Sequence, residues 1–538
     1  MKANAIKTLI SAILLLMIAD IINAQLMFLF QKTYGVTDND NAACVCPTDD
    51  GGYIITGFTS DAGWTDACLI KTDYTGDTLW TRSFGGISFD NGVDVEETAD
   101  GGYSSCGNTG SFGAGGNDPY IIKTDINGDT LWTKTFGGSG YDDTREIHQT
   151  ADGGYIFTGH TLSYGAGAED ILLVRIDPNG DLVWTKTFGG ANIERANSVQ
   201  IADNGFIITG HAYSFGAGGG DVYLIRTDSN GDTLWTRAFG GSAFDNGSCV
   251  QQTSDGGFAV AGTTFSFGAT NGNIYVIRTD ANGDTLWTRT YGGTNADFGI
   301  SIRETGSGAF IIAGSTTSFG AGNTDAYLIF IDPDGNHIWS MTYGGTENDN
   351  LSSVRKHLDG GFILCGTSHS FTTGGTCMFP PCSEMYLIKT DPLGYSNCNE
   401  LPANTIVTAP ATIVSTTATI TGSGGNQNNT ETIFKNPAIY DSTLCFEVIG
   451  AIAEMSNDNE LNIYPNPSDQ IITISINNPL NQDMEIKIFN SFGKLVNNIS
   501  DFNSNEISLN TRKLANGIYF IQVRKGRNKV AAGKFIIN

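Results

Sequence analysis

In this 538-residue chain of formal net charge −27, the side chains best placed to do chemistry are carboxylates on a regular spacing. Asp40, Asp90, Asp142, Glu194, Asp245, Asp297 and Asp349 each stand ten positions after an aromatic residue: Phe30, Trp80, Trp132, Trp184, Trp235, Trp287 and Trp339, in that order. Seven carboxylates around one mouth of a ring would attract Ca²⁺ or another hard cation, which prefers oxygen ligands. The other reading is that each accepts hydrogen bonds from backbone N–H groups of its own crossing, since a residue needed in every repeat is usually needed by the repeat. A second acidic position holds Asp66, Asp118, Asp170, Asp221, Asp325 and Glu384, with Asn273 in the remaining copy. None of these turns has the spacing of an EF-hand loop. Lys and Arg recur in the Leu-Ile-Lys-Thr-Asp and Trp-Thr-Arg runs, and pairing with these carboxylates is the expectation for them.

Signatures of covalent or acid–base catalysis are scarce. Among six histidines, His160 and His211 occupy the same slot in neighbouring repeats, which other copies fill with Phe, Asn, Thr or Ser. No Gly-x-Ser-x-Gly, His-Glu-x-x-His or P-loop is present. A carboxylate pair suited to glycoside hydrolysis stays open, because sequence alone does not give the separation of carboxyl groups. The last repeat differs from the rest by a longer loop, 370–386, that adds Cys377-Met378-Phe379-Pro380-Pro381-Cys382. Closed by a disulfide, Cys377, Met378, Phe379 and Cys382 would form a rigid apolar binding loop. A tolerated surface insertion is the alternative.

The elements that must position these groups follow from the tryptophans, which are spaced 52, 52, 51, 52 and 52 residues apart. That period suits a propeller blade. Each period contains four strand-like runs. Asp100-Gly101-Gly102 and its equivalents link the second run to the third as hairpins, and Asn127-Gly128 and its equivalents turn into the tryptophan strand. Four antiparallel strands make one blade. The three-strand part occurs seven times and the tryptophan strand six, while Leu29-Phe30-Gln31-Lys32-Thr33-Tyr34-Gly35 aligns with the missing one. The expectation is an all-β fold: a seven-bladed β-propeller over 25–395, closed by an N-terminal strand that covers an otherwise open edge. Phe30 and the six tryptophans are its blade-packing residues. Asp73-Tyr74-Thr75-Gly76-Asp77-Thr78-Leu79-Trp80 resembles the tryptophan-docking motif of quinoprotein-like β-propellers, in which it is architectural. A quinone-dependent dehydrogenase is therefore only a weak implication.

The ends and the composition set the compartment. Residues 1–24, with Lys2, Lys7 and an apolar run, read as a signal peptide. Residues 451–538 hold nine Lys and Arg against eight Asp and Glu, so the acidity belongs to the part before them. Such a body disfavours nucleic acid and anionic lipid as partners. No later run is long enough to be a transmembrane segment. Of ten cysteines, Cys44, Cys46, Cys68, Cys106, Cys249 and Cys365 lie in strand-like runs as small core hydrophobes, whereas Cys398 and Cys445 flank a polar segment and suit a disulfide. Residues 396–455, rich in Thr, Asn and Ser, read as a linker or accessory segment.

Residues 456–538 contain Pro465-Asn466-Pro467, then Gly517-Ile518-Tyr519, then a terminal Lys534 with apolar neighbours. In their order over about eighty residues they resemble the type A C-terminal sorting domain of the type IX secretion system. That resemblance implies a small immunoglobulin-like β-sandwich, the type IX translocon as partner, and attachment to surface lipopolysaccharide or release. The combined expectation is an exported binding or adhesion module for a glycan or protein. Its rival is a carboxylate-dependent glycan-processing enzyme. No cofactor is established by these residues, and Ca²⁺ alone is raised by the acidic ring.

Overall fold

The computed structural model describes residues 27–36, 39–61, 64–372, 382–416, 420–422, 426–429, 433–435, 440–449, 461–464, 471–476, 484–490, 495–502, 504–512, 514, 517–525 and 528–537. The signal-peptide reading for 1–24 lies outside them. Among the described residues the regular structure is β throughout, from Met27–Gly35 to Asn528–Ile537. No helix among them is long and apolar enough to cross a membrane. Two compact units emerge: Phe30–Phe446, and Met1–Leu29 with Glu447–Asn538.

The first unit contains seven five-stranded antiparallel sheets. Sheet 1 begins with Asp40–Pro47, Tyr53–Asp61, Trp64–Thr72 and Thr78–Gly85. Sheets 2 to 6 repeat that order from Asp90–Glu97, Asp142–Gln149, Glu194–Ala202, Asp245–Gln252 and Asp297–Glu304. Sheet 7 has Asp349–Lys356, Phe362–Ser368 and Glu384–Thr390, and takes its fourth strand from Met27–Gly35 in a register running from Phe30↔Lys389 to Tyr34↔Met385. The first strand of each sheet touches the first strand of the next, and that of sheet 7 touches that of sheet 1. The second and third strands lie between two neighbouring sheets and are buried on both faces, so they read as apolar runs rather than alternating ones. A typical joint packs Ile171, Leu173 and Phe188 of sheet 3 against Val199, Ile208 and Tyr223 of sheet 4.

Six of the seven joints are keyed by a tryptophan and the seventh by Phe30. Gly128 turns with φ +78°, and a Cβ there would lie 2.8 Å from the Trp80 ring, so only glycine lets the indole of sheet 1 seat on the turn of sheet 2. The same contact pairs Phe30 with Gly76, Trp132 with Gly180, Trp184 with Gly231, Trp235 with Gly283, Trp287 with Gly335 and Trp339 with Gly394. Ion pairs cross these joints: Arg82–Asp129, Lys134–Asp181, Lys186–Asp232 and Arg237–Asp284. Within sheets, Lys71–Asp50, Lys123–Asp100, Arg278–Asp255 and Lys389–Asp359 tie the third strand to the Asp-Gly-Gly hairpin. These recurrent cations therefore pair with aspartates of the turns, not with the two acidic positions expected for them. The turn aspartates sit at the strand ends that the Lys and Arg side chains reach.

The sheets have five strands rather than four because the segment after 395 is not a free linker. Glu400–Pro402 pairs with sheet 6, Ile406–Thr408 with sheet 5, Ile413–Thr416 with sheet 4 and Ile420–Gly422 with sheet 3. Asn426–Asn429 then joins sheet 2, Ile433–Lys435 sheet 1 and Tyr440–Ile449 sheet 7. The segment runs round the rim against the order of the repeats and covers the edge strand of every sheet, a device that blocks edge-to-edge association. Cys398 and Cys445, 47 residues apart, are disulfide-bonded and join the two ends of this belt. Beside the join, Gln31 of the N-terminal strand donates to Ser396 Oγ at 2.7 Å and to the Cys398 carbonyl.

In the second unit, Leu461–Tyr464, Ile471–Ile476 and Glu506–Asn510 form one sheet, and Met484–Asn490, Leu495–Phe502, Gly517–Lys525 and Asn528–Ile537 another. Ile472 and Ile474 of the first share one core with Ile486, Ile488, Ile521, Val523 and Phe535 of the second.

Candidate functional site

The seven carboxylates at the first acidic position are fully buried at the head of the innermost strand. Each is turned onto its own crossing. Asp90 Oδ2 accepts from Gly86 N at 2.9 Å and Ser111 Oγ at 2.6 Å, and Asp142 Oδ2 from Gly138 N at 2.8 Å and Ser163 Oγ at 2.6 Å. Asp40 accepts from Val36 N, Glu194 from Gly190 N, Asp245 from Gly241 N, Asp297 from Gly293 N and Asp349 from Gly345 N. The second acidic position caps the Gly-rich loop before it: Asp118, Asp170 and Asp221 each accept from two loop N–H groups, such as Ala114 N at 2.9 Å and Gly115 N at 3.2 Å for Asp118. Asn273 instead donates to the Phe267 and Ala269 carbonyls. Burial, reinforced by Asp142, pushes the Asp118 carboxyl up to about 6, and burial with Glu384 nearby pushes Asp40 up to about 7. Among the described residues, no three His, Cys, Asp or Glu side chains converge as a metal site would require.

Further along the innermost strands, side chains bond the backbone of the next sheet. Asp94 accepts from Ile147 N at 3.1 Å, Glu146 from Val199 N at 2.9 Å and Ser198 from Val250 N at 3.1 Å. His148 lies between Glu96 and Glu146, at 3.2 and 3.3 Å. Burial opposes its charge, yet the two carboxylates hold its pKa at about 10. Glu146 is held down at about 2 against its own burial, chiefly by His148.

The exposed mouth is where the repeats differ. The residue just before each buried carboxylate is Asn39, Phe89, Tyr141, Ile193, Phe244, Ala296 or Asn348. Except at Asn39, its carbonyl accepts the N–H of the residue that follows the second strand, as in Leu162 N to Tyr141 at 2.9 Å, Tyr213 N to Ile193 at 3.0 Å, Phe265 N to Phe244 at 2.9 Å and His369 N to Asn348 at 2.9 Å. Two variable side chains are thereby held next to each other in sheets 3 to 7, and in sheet 2 Phe89 stands beside Gly110. From sheet 2 to sheet 5 they are largely aromatic, and Phe89, Tyr141, Tyr213 and Phe265 remain 38–46% exposed. Tyr213 stacks on Phe244 at 5.9 Å, His211 meets Phe244 at 5.1 Å and Tyr141 stacks on His160 at 6.2 Å. Sheets 6, 7 and 1 carry Ala296 and Thr317, Asn348 and His369, and Asn39 and Ser60 at these places. Between the two kinds lies a cavity of about 610 Å³ lined by Phe244, Phe265, Phe298, Asn246, Asn350 and His369, among others. In the sequence His160 and His211 are only a shared slot. The ring places them at the aromatic mouth.

Cys377, Met378 and Phe379 of the longer loop lie outside the described residues; Cys382 is disulfide-bonded. Pro465, Asn466 and Pro467 also lie outside them. Gly517 opens the strand Gly517–Lys525, buried Tyr519 stacks on Phe535 at 5.3 Å, and Lys534 lies opposite Phe520. Residues 462–538 match the family described as the secretion system C-terminal sorting domain. This part of the chain is a type IX sorting domain. The protein is exported to the cell surface or extracellular medium, with the secretion system as a partner.

For the rest of the chain the likenesses are distant. A regulatory protein of Caulobacter vibrioides, FlaEY, is 29% identical over 178 residues, 28% of this chain and 18% of that protein. The chain thus spans less than a fifth of that relative. Sqt1 of Chaetomium thermophilum aligns with 67% of this chain and 90% of its own at 12% identity and a TM-score of 0.38. The extracellular domain of a one-component system of B. thetaiotaomicron covers 96% and 58% at 12% identity and a TM-score of 0.35. At these scores neither bears on the fold.

Proposed function

We propose that the first unit is a seven-bladed β-propeller that serves, once exported, as a binding or adhesion module for a glycan or protein. In this reading a signal peptide at 1–24 precedes a propeller at 25–395, the belt within 396–455 girds it, and an immunoglobulin-like sorting domain at 456–538 directs export and attachment to surface lipopolysaccharide or release. The observation that carries it is the mouth cavity. It has the size of a ligand site and lies on the face where the repeats depart from one another. The seven buried carboxylates serve as backbone acceptors in this reading, and Ca²⁺ is not part of it. The glycan-processing alternative needs a pair of carboxyl groups at the bound sugar. None of the side chains lining the cavity is Asp or Glu.

The test is binding of the fluorescently labelled secreted protein to the surface and extracellular matrix of the producing cells. Saturable binding displaced by unlabelled protein is expected. Non-saturable binding, or steady release of sugar from the matrix, would refute the assignment.

A further inference from the structure

Resting on the reading of the first unit as a binding module, we infer that the ligand is a neutral polysaccharide, held across the aromatic side of the mouth. The first ground is charge. The cavity is lined by Phe244, Phe265, Phe298, Ile300 and Leu351 together with Asn, Ser, Thr and one His, and by no Asp, Glu, Lys or Arg, in a chain of net charge −27. On the aromatic side, two pairs of charged groups neutralise one another: Arg145 bonds Asp143 at 2.7 Å and Arg195 bonds Glu169 at 2.8 Å. Burial pushes His160 down to about 3 and lowers His211, so both are neutral at neutral pH. An anionic polymer finds no Lys or Arg among the lining side chains, and the exposed carboxylate of Glu347, next to the lining Asn348, adds to its exclusion.

The second ground is the mixture of surfaces. A protein-binding hot spot gathers apolar side chains at its centre and polar ones at its rim. Here Asn246, Asn350, Ser248, Ser352 and Thr263 share the cavity with the three phenylalanines. A pyranose ring carries both surfaces in one unit. Its C–H face lies on the electron-rich face of an aromatic ring, and its hydroxyls donate to and accept from amide and hydroxyl side chains.

The third ground is extent. The aromatic places continue beyond the cavity: Tyr213 stacks on Phe244, and Tyr141 and Phe89 stand at the equivalent places of sheets 3 and 2. A strip over four adjacent sheets suits a chain of sugars rather than a single one.

The inference is tested by native gel electrophoresis of the full-length secreted protein through gels containing a neutral glucan, mannan, xylan or galactomannan, or anionic alginate, polygalacturonate or chondroitin sulfate. Retardation by at least one neutral polymer and by no anionic one is expected. Phe265→Ala and Tyr213→Ala, both at exposed positions, are expected to weaken it about tenfold each without lowering Tm, which corresponds to about 1.4 kcal/mol. Leu131→Ala, outside the mouth, is expected to bind like the parent. Retardation only by anionic polymers, retardation indifferent to both aromatic substitutions, or none in any neutral gel overturns the inference. If the protein still coats the matrix saturably in that last case, and protease treatment of the matrix abolishes the coating, the binding-module reading stands and the glycan falls.

Discussion

Asp142 and Tyr141 are neighbours in sequence and opposite in circumstance. Asp142 occupies a position that is acidic in all seven repeats, and it is fully buried on Gly138 N and Ser163 Oγ. Tyr141 occupies a position that changes from copy to copy, and it is 45% exposed at the mouth. The contrast teaches where to look in a ring of copies. What every copy shares answers to the copy's own backbone, and what varies faces outward. Substitutions on the shared side should cost stability and spare binding in the folded fraction; those on the variable side should do the reverse.

The largest effect on the shared side belongs to the belt. Tying ends 47 residues apart removes chain entropy from the unfolded state worth about 4 kcal/mol. Replacing both Cys398 and Cys445 by Ser should lower the free energy of urea unfolding by up to about that amount. An unchanged midpoint would mean that the belt unfolds separately from the sheets it covers. Asp142→Ala comes next. It leaves two donors unpaired in a buried crossing, at about 1–3 kcal/mol each, partly offset by relief of Asp118 from a like charge. A loss of about 3 kcal/mol is expected, and Asp142→Asn should lose less because an acceptor remains. Lost binding at full stability would reverse the two roles.

Much of the ring could be read from the chain, for local reasons. Trp80 and its equivalents recur because each needs a glycine turn in the next copy, and Leu29 to Gly35 betrays the closing strand because it keeps the tryptophan strand's pattern around Phe30. Most of the belt was hidden because its first six strands, of three or four residues each, carry too little periodicity to register, and they form only against an edge already built. Their trace is Ile406-Val407, Ile413-Val414 and Ile420-Thr421 at intervals of seven residues. The acidic positions were legible, but their partners were not: Ser163 is 21 residues from Asp142 and meets it only when the second strand returns. The mouth was less legible still. Phe89 and Tyr141 precede a buried carboxylate whereas Tyr213 and Phe265 follow a second strand, at places where other copies have residues such as Ala296, Asn348 or Gly110, so no single spacing marks them as a group.

Acid should strengthen the shared side before it weakens it. Burial raises Asp40 and Glu400 to about 7 and Asp118 to about 6, so the folded protein binds these protons more tightly than the unfolded chain, whose carboxyls titrate near pH 4. Their contribution is fully present below about pH 4 and is lost as pH rises through 6 to 7. Glu146, held at about 2, acts in the opposite sense: its contribution is present above about pH 4.5 and is lost as pH falls toward 2. Between pH 5 and 8, His148, held at about 10, adds to the fall with rising pH, while His160, held at about 3, opposes it because its contribution is lost below about pH 6.5. Tm should therefore be higher at pH 5 than at pH 8, and Asp40→Asn should flatten that slope. A Tm that climbs from pH 5 to pH 8 would show that these carboxyls are ionised in the fold.

Tyr141→Ala should have the smallest effect on stability, and for that reason it bounds the comparison most tightly. The ring is nearly half exposed and its main neighbour is His160, stacked at 6.2 Å. Its structural tie to the sheet, the carbonyl that accepts from Leu162 N, belongs to the backbone and survives truncation. A change of less than about 1 kcal/mol is expected by urea unfolding, within the range of surface substitutions. Binding to the matrix should nevertheless weaken, since the substitution removes one place from the aromatic strip. A loss of stability as large as that of Asp142→Ala would mean that the mouth residues hold the ring together, and the distinction between shared and variable positions would not survive it.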